Sequence, residues 1–379
     1  MKMAKTMKIH LSYKLAFSSV VIVSVCMFAS LYLEIENGGI QVKKTASANL
    51  SVVSGGDDMI GNRRHQHPDE AEHSSPPLLR RFFYDESCPS AERIIRRSLR
   101  VLYRGKPSIA PALIRLLFHD CFIQGCDASV LLDSTDSFKS EKDAAPNLRS
   151  LKGMEIIDQI KSDLEHVCPR VVSCADIIAL SAREAVKLSG GPRYPLKTGR
   201  RDSFVAFMDK ALTELPSPHA SLSQVLESFR SKGFSERETV CLSGAHSIGV
   251  THCKFFEDRL YNFSGTGKPD PELHPLFLQE LRTRCPFSSS ATIDMSFGME
   301  GNDIGFGVRY YKKLIEKKAI MHSDQQLMAS PITEKWVRNY ASDGQLFRHD
   351  FAAVMMKLSS LNVLTGSKGA VRSNCSVAV

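Results

Sequence analysis

The sequence predicts an all-α fold of two helical lobes with a cleft between them. Apolar residues recur at helical spacing in several segments, strand signals are few and short, and long loops rich in proline and glycine join the helices. The chain has 379 residues, of which 43% are hydrophobic and 24% charged. This is an ordinary composition for a soluble globular protein, with ample length for a core.

The first 33 residues predict a segment that directs the chain into the secretory route. Lysines at positions 2, 5, 8 and 14 precede a largely apolar run over residues 15–33. We predict a cleaved signal peptide. The alternative is an uncleaved membrane anchor, because Met27 and Phe28 occupy positions where a cleavage site needs small residues.

Residues 34–78 are rich in glycine, serine, histidine and acidic residues and show no periodicity, so we predict a flexible linker. A compact domain follows over residues 79–379. Sequons for N-glycosylation begin at Asn49, Asn262 and Asn374, which agrees with passage through the secretory route.

Ten cysteines are many for a cytosolic enzyme, and no zinc-type spacing accompanies them. Cys26 lies in the apolar N-terminal run, and Cys241 lies in an apolar segment that predicts a buried free thiol. The other eight predict four disulfides formed under oxidising conditions, with the pairing left open. The net charge of +8 is spread without a basic block, and no nucleic-acid-binding signature is present, so we expect no nucleic-acid partner.

Helical periodicity and capping residues place the elements of the domain in order. The first helix opens after Pro89 with Ser90-Ala-Glu and carries apolar residues at 94, 95, 99, 101 and 102 on one side. Further helices are predicted over residues 109–118, 174–187, 222–229, 310–318 and 350–358, and one that begins at Ser235 and runs towards His246.

The helix over residues 109–118 and its continuation carry a candidate catalytic pair. Arg115 and His119 are four residues apart, so a helix places both on one face. A neighbouring cation lowers the pKa of an imidazole, and this leaves a neutral base at neutral pH.

The loop after this pair offers the hard oxygen atoms of Asp120, Asp127 and Ser129 around a glycine. Such ligands suit a calcium ion, with backbone carbonyls completing its coordination. Cys121 and Cys126 could close the loop with a disulfide.

A second histidine, His246, lies between two glycines at the end of a buried helix. The glycines allow close approach of a flat ligand, and a neutral imidazole is a good ligand for iron. Asp324 could accept a hydrogen bond from the other imidazole nitrogen and make His246 more electron-donating.

These pieces together resemble the class III secretory plant haem peroxidases over residues 79–379. The resemblance is carried by eight motifs in the order of that family: FYDESCP at 83–89, the segment 115–133, EKDAAPN at 141–147, CPRVVSC at 168–174, GRRD at 199–202, LPSP at 215–218, LSGAHSIG at 242–249 and SDQ at 323–325.

The resemblance implies a b-type haem, one per chain, between a distal and a proximal half. His246 is then the axial ligand of the iron, supported by Asp324. His119 is the proton acceptor and donor towards peroxide. Arg115 stabilises the developing charge, and Asn147 orients His119. Phenolic donors would bind at Pro216, with Phe255 as a neighbour.

The resemblance also implies the structural groups of the domain. The expected disulfides are Cys88–Cys168, Cys121–Cys126, Cys174–Cys375 and Cys253–Cys285. The expected ligands of the first calcium ion are Asp120, Ile123, Gly125, Asp127 and Ser129, with Glu141 acting through water.

The proximal side departs from the family pattern. Ser247 and Asp294 could hold a second calcium ion, but Gly307 stands where the family has a carboxylate. The loop before it is long, and Asp303 could compensate. We therefore predict that the second calcium is weakly bound or differently ligated.

The predicted function is a haem peroxidase that reduces hydrogen peroxide and oxidises small phenolic donors in one-electron steps. The alternative is a haem-less, inactive structural homologue at the cell surface, but the full set of catalytic residues favours the enzyme. We expect a secreted monomer in the cell wall or apoplast, with plasma-membrane anchoring through residues 15–33 as the alternative.

Overall fold

The computed structural model describes residues 79–294 and 306–378. The predicted signal segment and linker, the first sequon and Asp303 lie outside this part of the chain. The described residues are mostly helical, as the sequence predicts. Their α-helices, in chain order, are α1 (Ala91–Gly105), α2 (Ile109–Cys121), α3 (Met154–Val167), α4 (Cys174–Leu188), α5 (Met208–Glu214), α6 (Leu222–Ser231), α7 (Glu236–Ser243), α8 (Glu257–Tyr261), α9 (Pro275–Arg284), α10 (Arg309–Ile315), α11 (His322–Gln325), α12 (Pro331–Ser342) and α13 (Gly344–Leu358).

Short 3₁₀ turns and one small sheet complete the described structure. The 3₁₀ turns are Ser129–Leu131, Glu141–Asp143, Gly244–Ser247, Cys253–Phe255, Phe263–Gly265 and Gln326–Met328. Strands β1 (Val250–His252) and β2 (Thr292–Asp294) pair antiparallel, with Val250 opposite Asp294.

The hydrophobic core joins helices from both halves of the domain. Helix α2 packs on α4, which also contacts α1, while α7 packs on α12 and α13. A smaller apolar cluster surrounds the Cys253–Cys285 disulfide. Val101, predicted on the inner side of α1, is 62% exposed, because the buried face follows the four-residue spacing of Ala91, Ile95 and Leu99.

The predicted caps begin the central helices. The Ser173 hydroxyl accepts a hydrogen bond from the backbone N–H of Asp176 at the start of α4. Ser235 and Glu238 form a reciprocal capping box at the start of α7. A cap of this kind contributes about 1 kcal/mol to helix stability.

His246 lies in a 3₁₀ turn beyond the end of α7, not on the α-helix that the periodicity predicts. The close approach of two rings explains the need for glycine at the start of this turn. A side chain at Gly244 would meet the Tyr311 hydroxyl and the Phe347 ring. Gly249, after the turn, has φ of +100°, and a Cβ there would lie 2.9 Å from Pro111 on α2.

Four disulfides connect the described elements, and their pairs are those that the resemblance implies. They are Cys88–Cys168, Cys121–Cys126, Cys174–Cys375 and Cys253–Cys285. Cys241 is a buried free thiol. Within residues 79–294 and 306–378, no helix is both long and apolar enough to cross a bilayer.

Candidate active site

The imidazole of His119 lies near the end of α2 and is 7% exposed. Its Nδ1 is 2.5 Å from Oδ1 of Asn147, whose own Nδ2 donates to the Glu141 carbonyl at 2.8 Å. Because this second bond turns the amide oxygen towards the imidazole, Nδ1 carries the proton and Nε2 is left as a base. Burial, then the charge of Arg115, lowers the pKa of His119 well below its usual value.

Arg115 lies one helical turn before His119, as its spacing predicts. Its guanidinium donates to the carbonyls of Ser150, at 2.8 Å, and Pro146, at 2.9 Å. These residues flank Asn147, so the cation also fixes the loop that orients the histidine. Burial lowers the pKa of Arg115 to about 10, which leaves it charged at neutral pH.

Buried oxygen atoms without hydrogen-bond partners collect in the loop after His119. Both carboxylate oxygens of Asp120, the hydroxyl of Ser129 and one carboxylate oxygen of Glu141 have no partner in the described structure. Burial and the charges of Asp127 and Glu141 raise the pKa of Asp120 well above its usual value. An unpaired set of buried oxygens is costly, and a bound calcium ion would satisfy it.

The carbonyls expected to ligate calcium have different surroundings. Gly125 has φ of +148°, and a side chain there would collide with the backbone of Asn362. The Ile123 carbonyl accepts a hydrogen bond from Nζ of Lys232 at 2.8 Å, and Lys232 also pairs with Glu214 at 2.5 Å. Lys232 is not predicted from the sequence, since no local pattern signals a contact over more than a hundred residues.

His246 is held through Nδ1, the same ring nitrogen through which His119 is held. Nδ1 of His246 is 2.9 Å from Oδ1 of Asp324, which is 3% exposed and also accepts from the Tyr310 hydroxyl at 2.8 Å. Burial alone would lower the pKa of His246, but the charge and hydrogen bond of Asp324 outweigh it and raise this pKa. Tyr310 is a further residue that the sequence analysis did not assign to the site.

His246 presents a nitrogen that fits the iron of a planar metal complex. With Nδ1 engaged, the Nε2 lone pair of His246 remains as a ligand, and 46% of its side chain is accessible to a partner. The Arg115 charge acts to lower the pKa of both imidazoles, those of His119 and His246. The donor set therefore fits a haem.

Of the remaining predicted residues, Pro216 lies in a loop that contacts the segment of Asp324. Pro216 is half-buried in the loop after α5, and the Pro218 carbonyl of the same loop accepts from the backbone N–H of Ser323, next to Asp324. Phe255 is also half-buried, with the Lys254 ammonium 4.9 Å from its ring centroid.

The predicted second calcium site is only partly described. Ser247 is buried, and its hydroxyl accepts from the Gly307 N–H at 3.4 Å. The backbone of Asp294 lies in β2, but its side chain is outside the described structure. No atom of the residues that the structure describes lies within 4 Å of the Cβ position of Gly307.

Comparison with known proteins identifies the family. The peroxidase family profile matches residues 95–343. The chain is 56% identical to "Putative Peroxidase 48" of Arabidopsis thaliana, in an alignment that covers 78% of this chain and 82% of that protein. It is 44% identical to a peroxidase of Armoracia rusticana, with 78% and 84% covered. It is also 45% identical to Peroxidase 28 of Arabidopsis thaliana, with 77% and 91% covered.

The chain belongs to the peroxidase family. This confirms the resemblance to class III plant haem peroxidases, the helical fold class and peroxidase activity. Hydrogen peroxide and a reducing donor are thus the substrates of this peroxidase. The alternative of a haem-less structural protein is not favoured.

Proposed function

We propose that this peroxidase uses His119, Arg115 and Asn147 to cleave hydrogen peroxide at a haem b held by His246, and that phenols are its donors. The observation that carries the proposal is the matched pair of imidazoles, each held through Nδ1, by Asn147 on one side and Asp324 on the other. A bound haem supplies the redox chemistry that no amino-acid side chain provides.

The chain's own contribution on the distal side is proton transfer and charge stabilisation. Nε2 of His119 takes a proton from one peroxide oxygen and returns it to the other, which leaves as water. The Arg115 cation stabilises the negative charge that develops as the O–O bond breaks. Asn147 keeps the Nδ1 proton in place, so that the basic nitrogen always faces the substrate.

On the proximal side, Asp324 orients His246 and increases its electron donation through the Nδ1 hydrogen bond. Small phenols would bind near Pro216 and give up one electron each. The unpaired oxygens of Asp120, Ser129 and Glu141 support one calcium ion beside His119, with Asp127 and the carbonyls of residues 123 and 125 as further ligands.

The purified protein tests this proposal directly. We expect one haem per chain, an absorption spectrum that changes on addition of equimolar peroxide, and recovery of the starting spectrum with two equivalents of a small phenol. His246→Ala should abolish haem retention. A protein that carries no haem after expression with haem supplied would overturn the proposal.

We further propose that the mature protein is a secreted monomer of the extracellular space. The predicted signal segment and the four disulfides support this. N-terminal sequencing of the protein from the producing tissue should find a start beyond residue 33. An intact residue 1 in a membrane fraction would favour the anchored form.

A further inference from the structure

A continuous series of aromatic rings leads from the proximal histidine to the surface. The ring centroids of His246 and Tyr310 are 6.4 Å apart, and those of Tyr310 and Tyr311 are 5.0 Å apart. From Tyr311 the series continues to Tyr340 at 5.2 Å and from Tyr340 to Trp336 at 5.9 Å. These separations are those of rings in contact, over which electrons transfer readily.

Among the tyrosine and tryptophan rings of this series, only the outermost, Trp336, reaches solvent. Tyr310 is 5% exposed, and Tyr311 and Tyr340 are fully buried, whereas Trp336 is half-buried on α12. Ile332, one helical turn before Trp336, is 57% exposed and adds apolar surface on which an aromatic group can lie. Trp336 is the single tryptophan of the chain.

We propose that this series conducts electrons inward from Trp336, which oxidises phenols attached to polymers too large to reach the site near Pro216. The proposal rests on the function proposed above, since peroxide must first oxidise the site beside His246. It adds a second, surface point of donor oxidation.

The hydrogen bonds of the tyrosines assign different roles to Tyr340 and Tyr311. A phenol that loses an electron becomes a strong acid, so its oxidation needs a proton acceptor. The Tyr340 hydroxyl donates to Oδ2 of Asp350 at 2.7 Å, whereas that of Tyr311 donates to the Val240 carbonyl at 3.1 Å. A carboxylate can take the proton and a carbonyl cannot. Tyr340 is therefore oxidised, while the Tyr311 ring serves as a bridge.

Arg237 contacts two groups that take part in the outer electron transfer, the Asp350 carboxylate and the Trp336 ring. Its guanidinium donates to the two oxygens of Asp350 at 2.9 Å and 2.8 Å, which keeps this group a carboxylate. The same guanidinium lies 4.4 Å from the centroid of the Trp336 ring. A cation in that place disfavours a positively charged indole, so Trp336 must release its Nε1 proton to solvent when it is oxidised.

Electrons and protons balance in the transfers through Tyr340 and Trp336. Tyr340 gives an electron inward and its proton to Asp350. It then regains an electron from Trp336 and its proton from Asp350. The neutral Trp336 radical takes an electron and a proton from the phenol, which becomes a phenoxyl radical. Two such turnovers with one hydrogen peroxide yield two phenoxyl radicals and two waters, with peroxide as the oxidant.

Radical trapping tests the path without relying on turnover. The haem-loaded protein is mixed with equimolar peroxide and a nitroso spin trap in the absence of donor, and adducts are mapped by peptide mass spectrometry. We expect an adduct on Trp336. Tyr340→Phe should reduce it about tenfold, and Tyr311→Phe should reduce it less, because phenylalanine keeps the bridging ring. Tyr103→Phe, on α1, is the matched control and should leave the adduct unchanged.

A donor comparison tests the activity itself. The two donors are tyramine and dextran substituted with tyramine, which present the same phenol free and on a polymer. We expect Trp336→Phe to lower the ratio of the polymer rate to the free-phenol rate about tenfold. Tyr103→Phe should preserve that ratio.

The outcomes separate this proposal from the one on which it rests. A wild-type protein that consumes no peroxide overturns both. Peroxide consumption without an adduct on Trp336, or with adducts equal in Tyr340→Phe and wild type, overturns the surface path alone. An unchanged donor ratio in Trp336→Phe overturns the surface oxidation of polymers.

Discussion

Two side chains set the different characters of the two histidines. Asn147 accepts from Nδ1 of His119 as a neutral amide, and the pKa of that imidazole stays low because of burial and the Arg115 charge. Asp324 accepts from Nδ1 of His246 as a carboxylate and raises the pKa of that imidazole. One histidine is thus suited to be a neutral base, and the other an electron-rich ligand.

From the proposed role of His119 as a base, we predict that its replacement slows the reaction with peroxide. In His119→Gln, the rate constant for the reaction with peroxide should fall about a hundredfold to ten-thousandfold, the contribution typical of a general base. Stopped-flow spectroscopy of the haem-loaded variant measures it. His166→Gln, an exposed histidine of α3, is the control. Full reactivity of the His119 variant would disprove the assignment.

We predict that a carboxylate introduced at position 307 increases calcium binding. Among the described residues, none lies within 4 Å of the Cβ position of Gly307, and its N–H donates to the buried hydroxyl of Ser247. Gly307→Asp should therefore introduce the missing carboxylate and raise the calcium content of purified protein from one ion to two per chain. Gly307→Asn, which adds the same volume without charge, should bind the second ion more weakly. Two tightly held ions in the unmodified protein would contradict the prediction.

At the scale of elements, helix α2 concentrates the distal chemistry. It carries Arg115 and His119 one turn apart, and Asp120 follows directly, so the proposed calcium ligand is fixed to the backbone that bears the proposed base. The Cys121–Cys126 disulfide closes the loop after it. Packing of α2 on α4 fixes the helix in the core, which is why its polar side chains keep one orientation.

We predict that Lys232, at the end of α6, weakens calcium binding in the loop after His119. Its ammonium lies 2.8 Å from the Ile123 carbonyl and competes with a calcium ion for that oxygen, besides repelling the ion. Lys232→Met should tighten calcium binding about tenfold, as measured by chelator competition. Lys357→Met, which removes a lysine bound to the Gly233 carbonyl instead, is the control. Weaker binding in Lys232→Met would show that the ammonium supports the site.

At the scale of the whole molecule, the C-terminal segment returns to the distal half. Cys375 is bonded to Cys174 at the start of α4. Arg372 is fully buried and donates to the carbonyl of Ala128, in the loop after His119, at 2.7 Å. The end of the chain therefore stabilises the region around His119, far from it in sequence.

Because the C-terminal segment is bonded back to α4, we predict that two disulfides contribute unequally to the free energy of unfolding. The Cys174–Cys375 bond spans 201 residues and the Cys121–Cys126 bond only 5. From loop-closure entropy, replacing both cysteines by alanine should cost about 5 kcal/mol of unfolding free energy for the long loop and about 2 kcal/mol for the short one. Denaturant unfolding of the two double variants measures the difference. Equal losses would show that local packing outweighs chain entropy.

The sequence by itself determined the helical class, the caps of α4 and α7, the set of eight paired cysteines and the motifs around His119 and His246. These depend on local periodicity, capping chemistry and residue type, which a single chain displays. The 3₁₀ turn at His246 was not predicted. At its start, Tyr311 and Phe347 from other elements leave no room for a side chain at Gly244, and no local pattern shows this.

Only the tertiary structure decided which distant groups meet. Separate segments of the chain are joined by three sets of contacts: the Lys232 ammonium on the Ile123 carbonyl, the Tyr310 hydroxyl on Asp324, and the ring series from Tyr310 to Trp336. No periodicity encodes such contacts, since they depend on how the helices pack against each other. Local sequence thus identified the candidate groups for the chemistry, and packing determined what surrounds and connects them.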